Sequence, residues 1–286
     1  MSLREELPHD KSILSTLDIK MKKSRAISFV TISHGHFDYV SELVESMMQH
    51  WSSPFELIIV DNLNSDKFEL LIQQHSKQLD IRRSSIRLYK HKKPRSFGVG
   101  NNFAIRKASN EHIFIINPDT RFVDSSIHDW FQEQEDKLEG RLIYPRLLNA
   151  DGTGQQHYNE WPHLANQFVR LIKAKAGRST AQRQRSKDWF FASAIITTKR
   201  TFSRLNGFEE LFPLYCEDVD LCYKAKLLNI PCEHITYIKM IHHLGGEAKH
   251  KHLTKAIVSN VLWRYVRVRN FINIKLLKNR YDSAKY

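Results

Sequence analysis

The sequence predicts an α/β fold in which a mostly parallel sheet is flanked by helices. Short apolar runs, such as those at 55–60 and 112–116, have the composition of strands that are buried on both faces. Helical patterns alternate with these runs as far as residue 120, which is typical of βαβ units. Aspartate and asparagine follow the strands at their carboxyl ends, where open α/β sheets bind ligands.

The composition excludes several classes of protein. The chain has 286 residues, of which 41% are hydrophobic, so it can bury a core and is not a disordered protein. Its three cysteines lack metal-ligand spacing and indicate a reducing compartment. No apolar run reaches the roughly 18 residues of a membrane span, and residues 1–24 lack the apolar core of a signal peptide. These features predict a cytoplasmic protein, and the net charge of +13 favours an anionic partner.

The elements can be read from periodicity and turn residues. The predicted elements are strands at 26–32, 55–60, 86–89, 112–116, 195–198 and 234–240, helices at 39–49, 68–78 and 256–277, and a short helix at 202–205. Asp38 is the expected N-cap of the first helix. The segment 96–102 holds two glycines and two asparagines, and it reads as a loop that opens a helix. Such a loop can present N–H groups to an anion, or it can simply cap the helix.

Two clusters of polar residues follow strands. The strand at 112–116 runs into Asn117-Pro118-Asp119-Thr120, where Asp119 could hold a metal and, through it, a diphosphate; the alternative is a simple Pro–Asp turn. His242 and His243 follow the strand at 234–240 and precede two glycines, so they are candidate metal ligands.

A third cluster combines three carboxylates in four residues. Glu217, Asp218 and Asp220 come directly after an apolar segment and open a predicted helix. Neighbouring carboxylates raise each other's pKa, which helps to make a general base. The alternative is that these acids only complement the positive end of the helix dipole.

The end of the chain is strongly basic. Residues 249–286 hold ten Lys or Arg and one acid. On a helix, Arg264, Arg267, Lys275 and Lys278 fall on one side. The opposite side is apolar: Val258, Val261, Leu262, Tyr265, Val268, Ile272 and Leu276. This pattern suits an anionic membrane surface, or a helix that packs its apolar side on the preceding domain and keeps its charges in water.

The sequence resembles the inverting nucleotide-sugar glycosyltransferases of family 2, which have the GT-A fold. The blocks that carry the resemblance are 28–36, 58–62, 96–104 with 117–120, and 189–194 with 215–224. Within the family it is similar to bacterial rhamnosyltransferases of O-antigen or cell-wall linkage-unit synthesis. The resemblance covers about residues 26–246. It implies an N-terminal extension at 1–24, a GT-A domain at 25–246 with a nucleotide-binding half (25–120) and an acceptor and catalytic half (121–246), and a basic helical tail at 247–286.

The resemblance implies a role for each polar cluster. Asp61 would accept a hydrogen bond from the donor base, and Asp119 would be the remaining acid of the family's Asp-x-Asp motif, on Mg²⁺ or Mn²⁺. Asn117 takes the first acidic position, and an amide oxygen is a poorer ligand than a carboxylate. His243, or His242, would complete the metal site. The implied donor-binding residues are Ser33, His34, Asp61, Asn62, Gly98, Asn102, Asn117, Asp119 and Trp189. The implied acceptor residues are Ala192, Ser193 and Asp220.

The implied reaction is a single displacement with inversion, in which Asp218 is the expected base and Glu217 the next candidate. The expected donor is dTDP-rhamnose, and the alternative is a UDP-hexose or UDP-HexNAc. The expected acceptor is a polyprenyl-diphosphate-linked saccharide at the cytosolic face of the inner membrane, which the protein would approach as a peripheral protein. No nucleic acid is expected as a partner.

Two other classes compete with this interpretation. A non-enzymatic basic protein that binds nucleic acid would explain the charge but not the carboxylates at the strand ends. A metal-dependent hydrolase would use Asp119 and the histidines, but the compact spacing of such sites is missing.

Overall fold

The computed structural model describes residues 26–161, 187–243 and 253–283. The expected N-terminal extension and the start of the expected tail, 247–252, lie outside these residues. The strands are β1 (Ile27–Ser33), β2 (Phe55–Asp61), β3 (Ser85–Lys90), β4 (His112–Ile116), β5 (Thr120–Phe122), β6 (Leu142–Leu148), β7 (Tyr158–Asn159), β8 (Trp189–Phe190), β9 (Ala194–Thr198) and β10 (Cys232–His242). The helices are α1 (Phe37–His50), α2 (Lys67–Ile81), α3 (Phe97–Lys107), α4 (Ser126–Gln134), α5 (Lys199–Arg204), α6 (Glu217–Leu227) and α7 (Leu253–Ser283).

Eight strands form one sheet in the order β3-β2-β1-β4-β9-β6-β10-β5. The first four are parallel, and β6 and β10 run in the same direction as they do, because β9 is antiparallel to both β4 and β6. Only β9 and the short edge strand β5 run the other way. The prediction of a mostly parallel α/β fold is therefore confirmed. β7 and β8 pair separately as a small two-stranded sheet.

Helices cover both faces of the large sheet. On one face, residues of α1, α2 and α4 pack around Phe29, whose ring meets Trp51 edge-on at a centroid distance of 5.0 Å. On the other face, residues of α3, α5 and α6 pack against Val30 and Ile32. Successive residues of β1 thus serve opposite cores, which explains why the strands read as continuous apolar runs.

The sequence predicted a loop at 96–102, but this segment is the N-cap and the first turns of α3. Ser96 is the N-cap, and its hydroxyl accepts from the Val99 N–H at 3.5 Å. Gly98 and Gly100 lie inside the helix because it runs close to its neighbours. A Cβ on Gly100 would stand 3.2 Å from the Ile32 side chain. Asp38 is also not an N-cap, since α1 begins at Phe37 and Asp38 lies in its first turn.

The C-terminal helix α7 packs on the domain through a face that the sequence did not predict. Its buried residues are Ser259, Trp263, Val266 and Asn270. The apolar side predicted for membrane or domain contact remains in solvent, with Val261, Tyr265 and Val268 about 60% exposed. The helix thus packs on the domain, as the second interpretation expected, but of the predicted apolar side only Leu262 takes part in that contact. Within the described ranges, no helix is long and apolar enough to cross a membrane.

Candidate active site

The carboxyl ends of β1, β2, β4 and β10 meet at one edge of the sheet, because these strands run in the same direction. The predicted site residues at this edge are Ser33, Asp61, Asn62, Asn117, Asp119 and His242. Most of them are buried or nearly so, with Asp61 fully enclosed and Asp119 only 7% exposed. Residues that are far apart in the chain are therefore brought together where α/β sheets bind ligands.

Asp119, His242 and Asn117 form a close group at this edge. The Nε2 atom of His242 lies 3.4 Å from an Asp119 carboxylate oxygen and 3.4 Å from the Asn117 amide nitrogen. On the far side of the ring, the His242 Nδ1 atom is 2.8 Å from the Gln155 side-chain oxygen. The Gln155 amide nitrogen donates to the His242 carbonyl at 3.2 Å, so its oxygen is the atom turned to the ring. Nδ1 is then the donor in this contact, and Nε2 is the ring atom that faces Asp119.

The two histidines point to different places. His243 lies with its Nε2 atom 3.3 Å from a Glu42 carboxylate oxygen on α1, and its ring packs near Tyr39. Its backbone N–H donates to the Asp119 carbonyl at 2.9 Å. Neighbouring residues at a strand end project to opposite sides, so only one of the two side chains can face Asp119. That residue is His242, which leaves His243 outside the cluster.

This cluster fits a divalent metal that the substrate would complete. Across the described ranges, no group of three His, Cys, Asp or Glu side chains forms a ready-made metal site. Mg²⁺ is usually held by one or two carboxylates and by substrate phosphates, with ligand distances of about 2.1 Å. Two adjacent ligands of such an octahedral ion stand about 3 Å apart, close to the 3.4 Å between Asp119 and His242. Both residues could therefore bind one ion.

The loop after β1 is tied to the loop after β2. The Asn62 side chain lies 2.9 Å from the His34 ring, and it both donates to and accepts from the backbone of Arg95 at 3.1 Å. The Asp61 carboxylate accepts from the backbone N–H groups of Leu63 and Ser65 at 2.9 and 2.5 Å. Desolvation, followed by the charges of His36 and Lys255, lowers the pKa of His34. These contacts hold the two loops together. Asp61 is enclosed and both of its carboxylate oxygens are bonded within the turn after β2, so its predicted contact with the donor base stays a prediction.

Gly98 and Asn102 have structural explanations of their own. A Cβ on Gly98 would stand 3.1 Å from the carbonyl oxygen of Glu209, so close helix packing accounts for this glycine. The Asn102 side chain accepts from the Phe208 N–H at 2.9 Å and donates to the Phe208 carbonyl at 2.8 Å. It also donates to Glu210 at 2.9 Å. Their predicted contacts with the donor remain predictions.

The carboxylates Glu217 and Asp218 open helix α6. Burial, with the charge of Asp218 as the second cause, raises the pKa of Glu217 to about 8, so this acid is protonated at neutral pH. Asp218 is half-buried, and its carboxylate accepts from the Val219 N–H at 2.8 Å. Before them, Tyr215 and Cys216 both have left-handed backbones, with φ of 68° and 74°. Strain of this kind, on the order of 1–3 kcal/mol per residue, often marks functional segments.

Asp220 occupies a different environment from its two neighbours. Its carboxylate is fully buried, 2.9 Å from the Lys224 ammonium, and it accepts from the Asn270 amide at 2.7 Å. Burial raises the pKa of Asp220, while the charge of Lys224 opposes that shift. A fully enclosed carboxylate with both oxygens engaged does not face an acceptor, so this placement speaks against the predicted acceptor role and supports a positioning role.

The segment 189–194 contacts both α6 and the strand end that carries Asn117. The Phe190 N–H lies 3.5 Å from the Cys222 sulfur on α6, and Trp189 is half-buried beside the same helix. At the other end of the segment, the Asn117 N–H donates to the Ser193 carbonyl at 2.8 Å. Ala192 is small and buried as well. One short segment therefore connects α6 with the strand end beside the Asp119 cluster.

Sequence reasoning missed two residues of this region. Gln155 fixes the orientation of His242, and Asn270 binds Asp220. Both are neutral amides without a local motif, and each contacts a residue at least 50 positions away in the chain. Only the folded arrangement reveals such partners.

The comparison with protein families agrees with this geometry. Residues 28–201, more than half of the chain, match the family described as glycosyl transferase family 2. The chain belongs to glycosyl transferase family 2. The match includes the Asp61 and Asp119 strand ends and stops before α6.

Relatives and solved structures extend this assignment. Rhamnosyltransferase WbbL of Escherichia coli K12 is 25% identical over 232 residues, which is 76% of this chain and 83% of WbbL. The crystal structure of residues 1–349 of TarS from S. aureus has a TM-score of 0.57 and 12% identity, and covers 87% of this chain and 71% of that one. The mannosyltransferase PcManGT from Pyrobaculum calidifontis, solved with GDP-Man and Mn²⁺, has a TM-score of 0.54 and 12% identity over 91% of this chain and 65% of that one. The chain is a glycosyltransferase with the GT-A fold.

Proposed function

We propose that this glycosyltransferase moves L-rhamnose from dTDP-rhamnose, with inversion, onto a lipid-linked saccharide in the synthesis of a surface polysaccharide. The observation that carries the proposal is that the segment 189–194 contacts both α6, which begins with the carboxylates, and the strand end beside the Asp119–His242 cluster. The similarity to a rhamnosyltransferase supports the choice of sugar. A UDP-sugar is the alternative donor within the same reaction.

The proposed mechanism assigns the donor to the sheet edge. Asp119 and His242 would hold a divalent ion, which when bound supplies positive charge to the donor diphosphate. Asp61 and the 33–36 loop would lie against the nucleotide. PcManGT was solved with both GDP-Man and Mn²⁺, which supports the same pair of ligands, a metal ion and a nucleotide sugar, for this chain.

The proposed acceptor chemistry uses Asp218. Its half-buried carboxylate can reach a bound hydroxyl, whereas Glu217 is enclosed and protonated at neutral pH. Asp218 would take the hydroxyl proton while the hydroxyl oxygen attacks the anomeric carbon. The bond from that carbon to the diphosphate oxygen breaks on the opposite face, which inverts the configuration. Neutral Glu217 beside Asp218 keeps a second negative charge away from the base.

We also propose that the exposed side of α7 contacts an anionic membrane. The stripe of Val258, Val261, Tyr265, Val268, Ile272 and Leu276, called here the apolar stripe, lies in solvent. Arg264 and Lys275 flank it and are exposed. An apolar face bordered by cations is the composition that anionic lipid surfaces bind. This contact would bring the site to a lipid-linked acceptor.

Donor binding tests the proposal directly. Calorimetric titrations of dTDP-rhamnose, UDP-GlcNAc, UDP-Gal and GDP-mannose, each with Mn²⁺ and with chelator, should give metal-dependent binding of dTDP-rhamnose. Asp119→Ala should weaken that binding by at least about tenfold, the lower range for losing a metal-site group. Asp80→Ala, an exposed aspartate on α2, is the matched control and should bind like wild type. Tighter binding of a UDP-sugar would show that the donor is that sugar nucleotide and not dTDP-rhamnose. If none of the four donors binds, the proposal is refuted.

A further inference from the structure

A series of buried polar contacts links helix α7 to helix α6. Asp220 on α6 has one partner for each carboxylate oxygen, Lys224 at 2.9 Å for Oδ2 and the Asn270 amide at 2.7 Å for Oδ1. Lys224 also donates to the Gly207 carbonyl at 2.6 Å. All of these side chains are less than 10% exposed. Because Asn270 belongs to α7, the tail supplies half of the contacts that hold Asp220.

The same series of contacts continues from Lys224 to helix α3. The carbonyl bound by Lys224 belongs to Gly207, and the next residue, Phe208, is held through its N–H and carbonyl by Asn102 on α3. Gly207 has φ of +60°, and a Cβ there would stand 2.7 Å from the Asn102 side-chain oxygen. Three helices, α3, α6 and α7, are therefore fixed to one another through a segment that tolerates little change.

Loss of the Asn270 hydrogen bond would be costly because Asp220 is a buried acid. Burial raises the pKa of Asp220, and its charged neighbours are Lys224 on its own helix, Glu209 before α6 and Arg269 on α7. Arg269 is itself paired with Glu209, so Lys224 is the cation in contact with the carboxylate. A buried charge that loses a hydrogen-bond donor keeps its desolvation cost without compensation.

Asp220 and Asp218 lie on opposite sides of α6. Two residues along a helix correspond to a rotation of about 200°. Asp220 therefore points inward while Asp218 is half-exposed. A fixed Asp220 sets the rotation of the first turn, and with it the direction of Asp218.

We propose that Asn270 is a positioning residue for the transfer reaction, which acts by holding the Asp220 side chain in place and so fixing the direction of Asp218. The tail helix is then part of the catalytic assembly and not only a membrane contact. This inference rests on the proposed function for the role of Asp218, while the contacts themselves are structural. It assigns Asn270 no contact with substrate.

The test compares an isosteric substitution of Asn270 with a truncation. Asn270→Asp keeps the shape but sets an acceptor against the Asp220 acceptor, whereas Asn270→Ala removes the donor together with the rest of the amide group. Transfer from dTDP-rhamnose to a synthetic polyprenyl-diphosphate-linked saccharide is measured on the full chain. We expect kcat to fall about tenfold in Asn270→Ala, the range for a hydrogen bond to a charge, and at least as far in Asn270→Asp. The donor KM should change less than twofold. Asn273→Asp, an exposed asparagine on the same helix, should match wild type.

A second variant keeps the proposal falsifiable if Asn270→Asp folds poorly. The double substitution Asp220→Asn with Asn270→Asp exchanges donor and acceptor and restores the bond, so it should recover kcat above that of Asn270→Asp. Equal kcat in Asn270→Asp and wild type, or no recovery in the double variant, would overturn the positioning role. A wild-type chain that is inactive with every donor would instead overturn the proposed function.

Discussion

At the scale of single residues, Glu217 makes stability depend on pH in an unusual direction. Its carboxyl has an ordinary pKa near 4.5 and a pKa of about 8 when buried in the fold. Between these values the folded chain binds more protons than the unfolded chain, so stability falls as pH rises. Desolvation lowers the pKa values of His157 and His234 to about 4, so these two histidines make stability rise with pH over part of the same range. We therefore expect the melting temperature of wild type to fall relative to that of Glu217→Gln from pH 5 to pH 8, which circular dichroism would measure.

The control for this experiment is an exposed glutamate. Glu45 lies on the solvent side of α1, so Glu45→Gln should leave the pH dependence of melting as in wild type. If Glu217→Gln melts with the same pH dependence as wild type, Glu217 is not a buried neutral acid.

The adjacent histidines give a second prediction at this scale. His242 faces Asp119, and His243 faces Glu42. His242→Ala should weaken Mn²⁺ binding in the presence of dTDP by at least about tenfold, as expected for loss of a ligand or its support. His243→Ala is the matched control and should bind Mn²⁺ nearly as wild type does. Electron paramagnetic resonance of free Mn²⁺ measures both, and a reversed order would assign the ligand to His243.

Residue types and strand ends were accessible from the sequence, but their partners were not. Asp119 and the histidines are recognisable because each follows an apolar run. The choice between His242 and His243 depends on which side of β10 faces Asp119, and Gln155 holds His242 from a loop 87 positions away. Such choices are made by tertiary packing and leave no periodic signal.

At the scale of elements, helix α3 shows a glycine whose purpose is close packing. An alanine at position 98 would place its Cβ 3.1 Å from the backbone carbonyl of Glu209, which cannot rotate away. Alanine favours a helix over glycine by about 1 kcal/mol, while overpacking costs about 1–3 kcal/mol. We expect Gly98→Ala to lower the free energy of unfolding by about 1 kcal/mol, measured by urea denaturation. Donor affinity of the folded variant should be unchanged; a selective loss of affinity would return Gly98 to the donor site.

Strand β6 is one of the elements that the sequence did not predict, and the reason is local. β6 lies between β9 and β10 in the sheet, yet Pro145 stands in the middle of it. Proline cannot donate to a strand ladder, so a proline argues against an interior strand. The structure accommodates it with a register shift in β10 between Ile235 and Lys239, opposite Pro145 and Arg146. The strands that were predicted, such as β2 and β4, have no such interruption.

At the scale of the whole molecule, helix α7 has one face that packs on the domain and another that is exposed to solvent. Its polar and aromatic side, with Trp263 and Asn270, packs on the domain, and its apolar stripe faces away. Periodicity revealed an apolar side but could not tell which side the domain covers. The same helix therefore contacts Asp220 from one side and presents on the other side the apolar stripe that we propose for membrane contact.

The membrane contact predicts a loss of binding that leaves the fold intact. Val261 and Val268 are 60% and 59% exposed, so replacing both with serine removes apolar area from the stripe without changing the charge. Flotation with phosphatidylglycerol vesicles should show partitioning reduced by at least about tenfold, because burial of even one of the two valines contributes about 1.5 kcal/mol. Asn273→Ser, exposed but off the stripe, should float like wild type. Pure phosphatidylcholine vesicles should bind the wild type weakly, since Arg264 and Lys275 need anionic partners. Unchanged flotation of the double variant, or a dimer in solution that it dissolves, would show that the stripe serves another copy of the chain instead of the membrane.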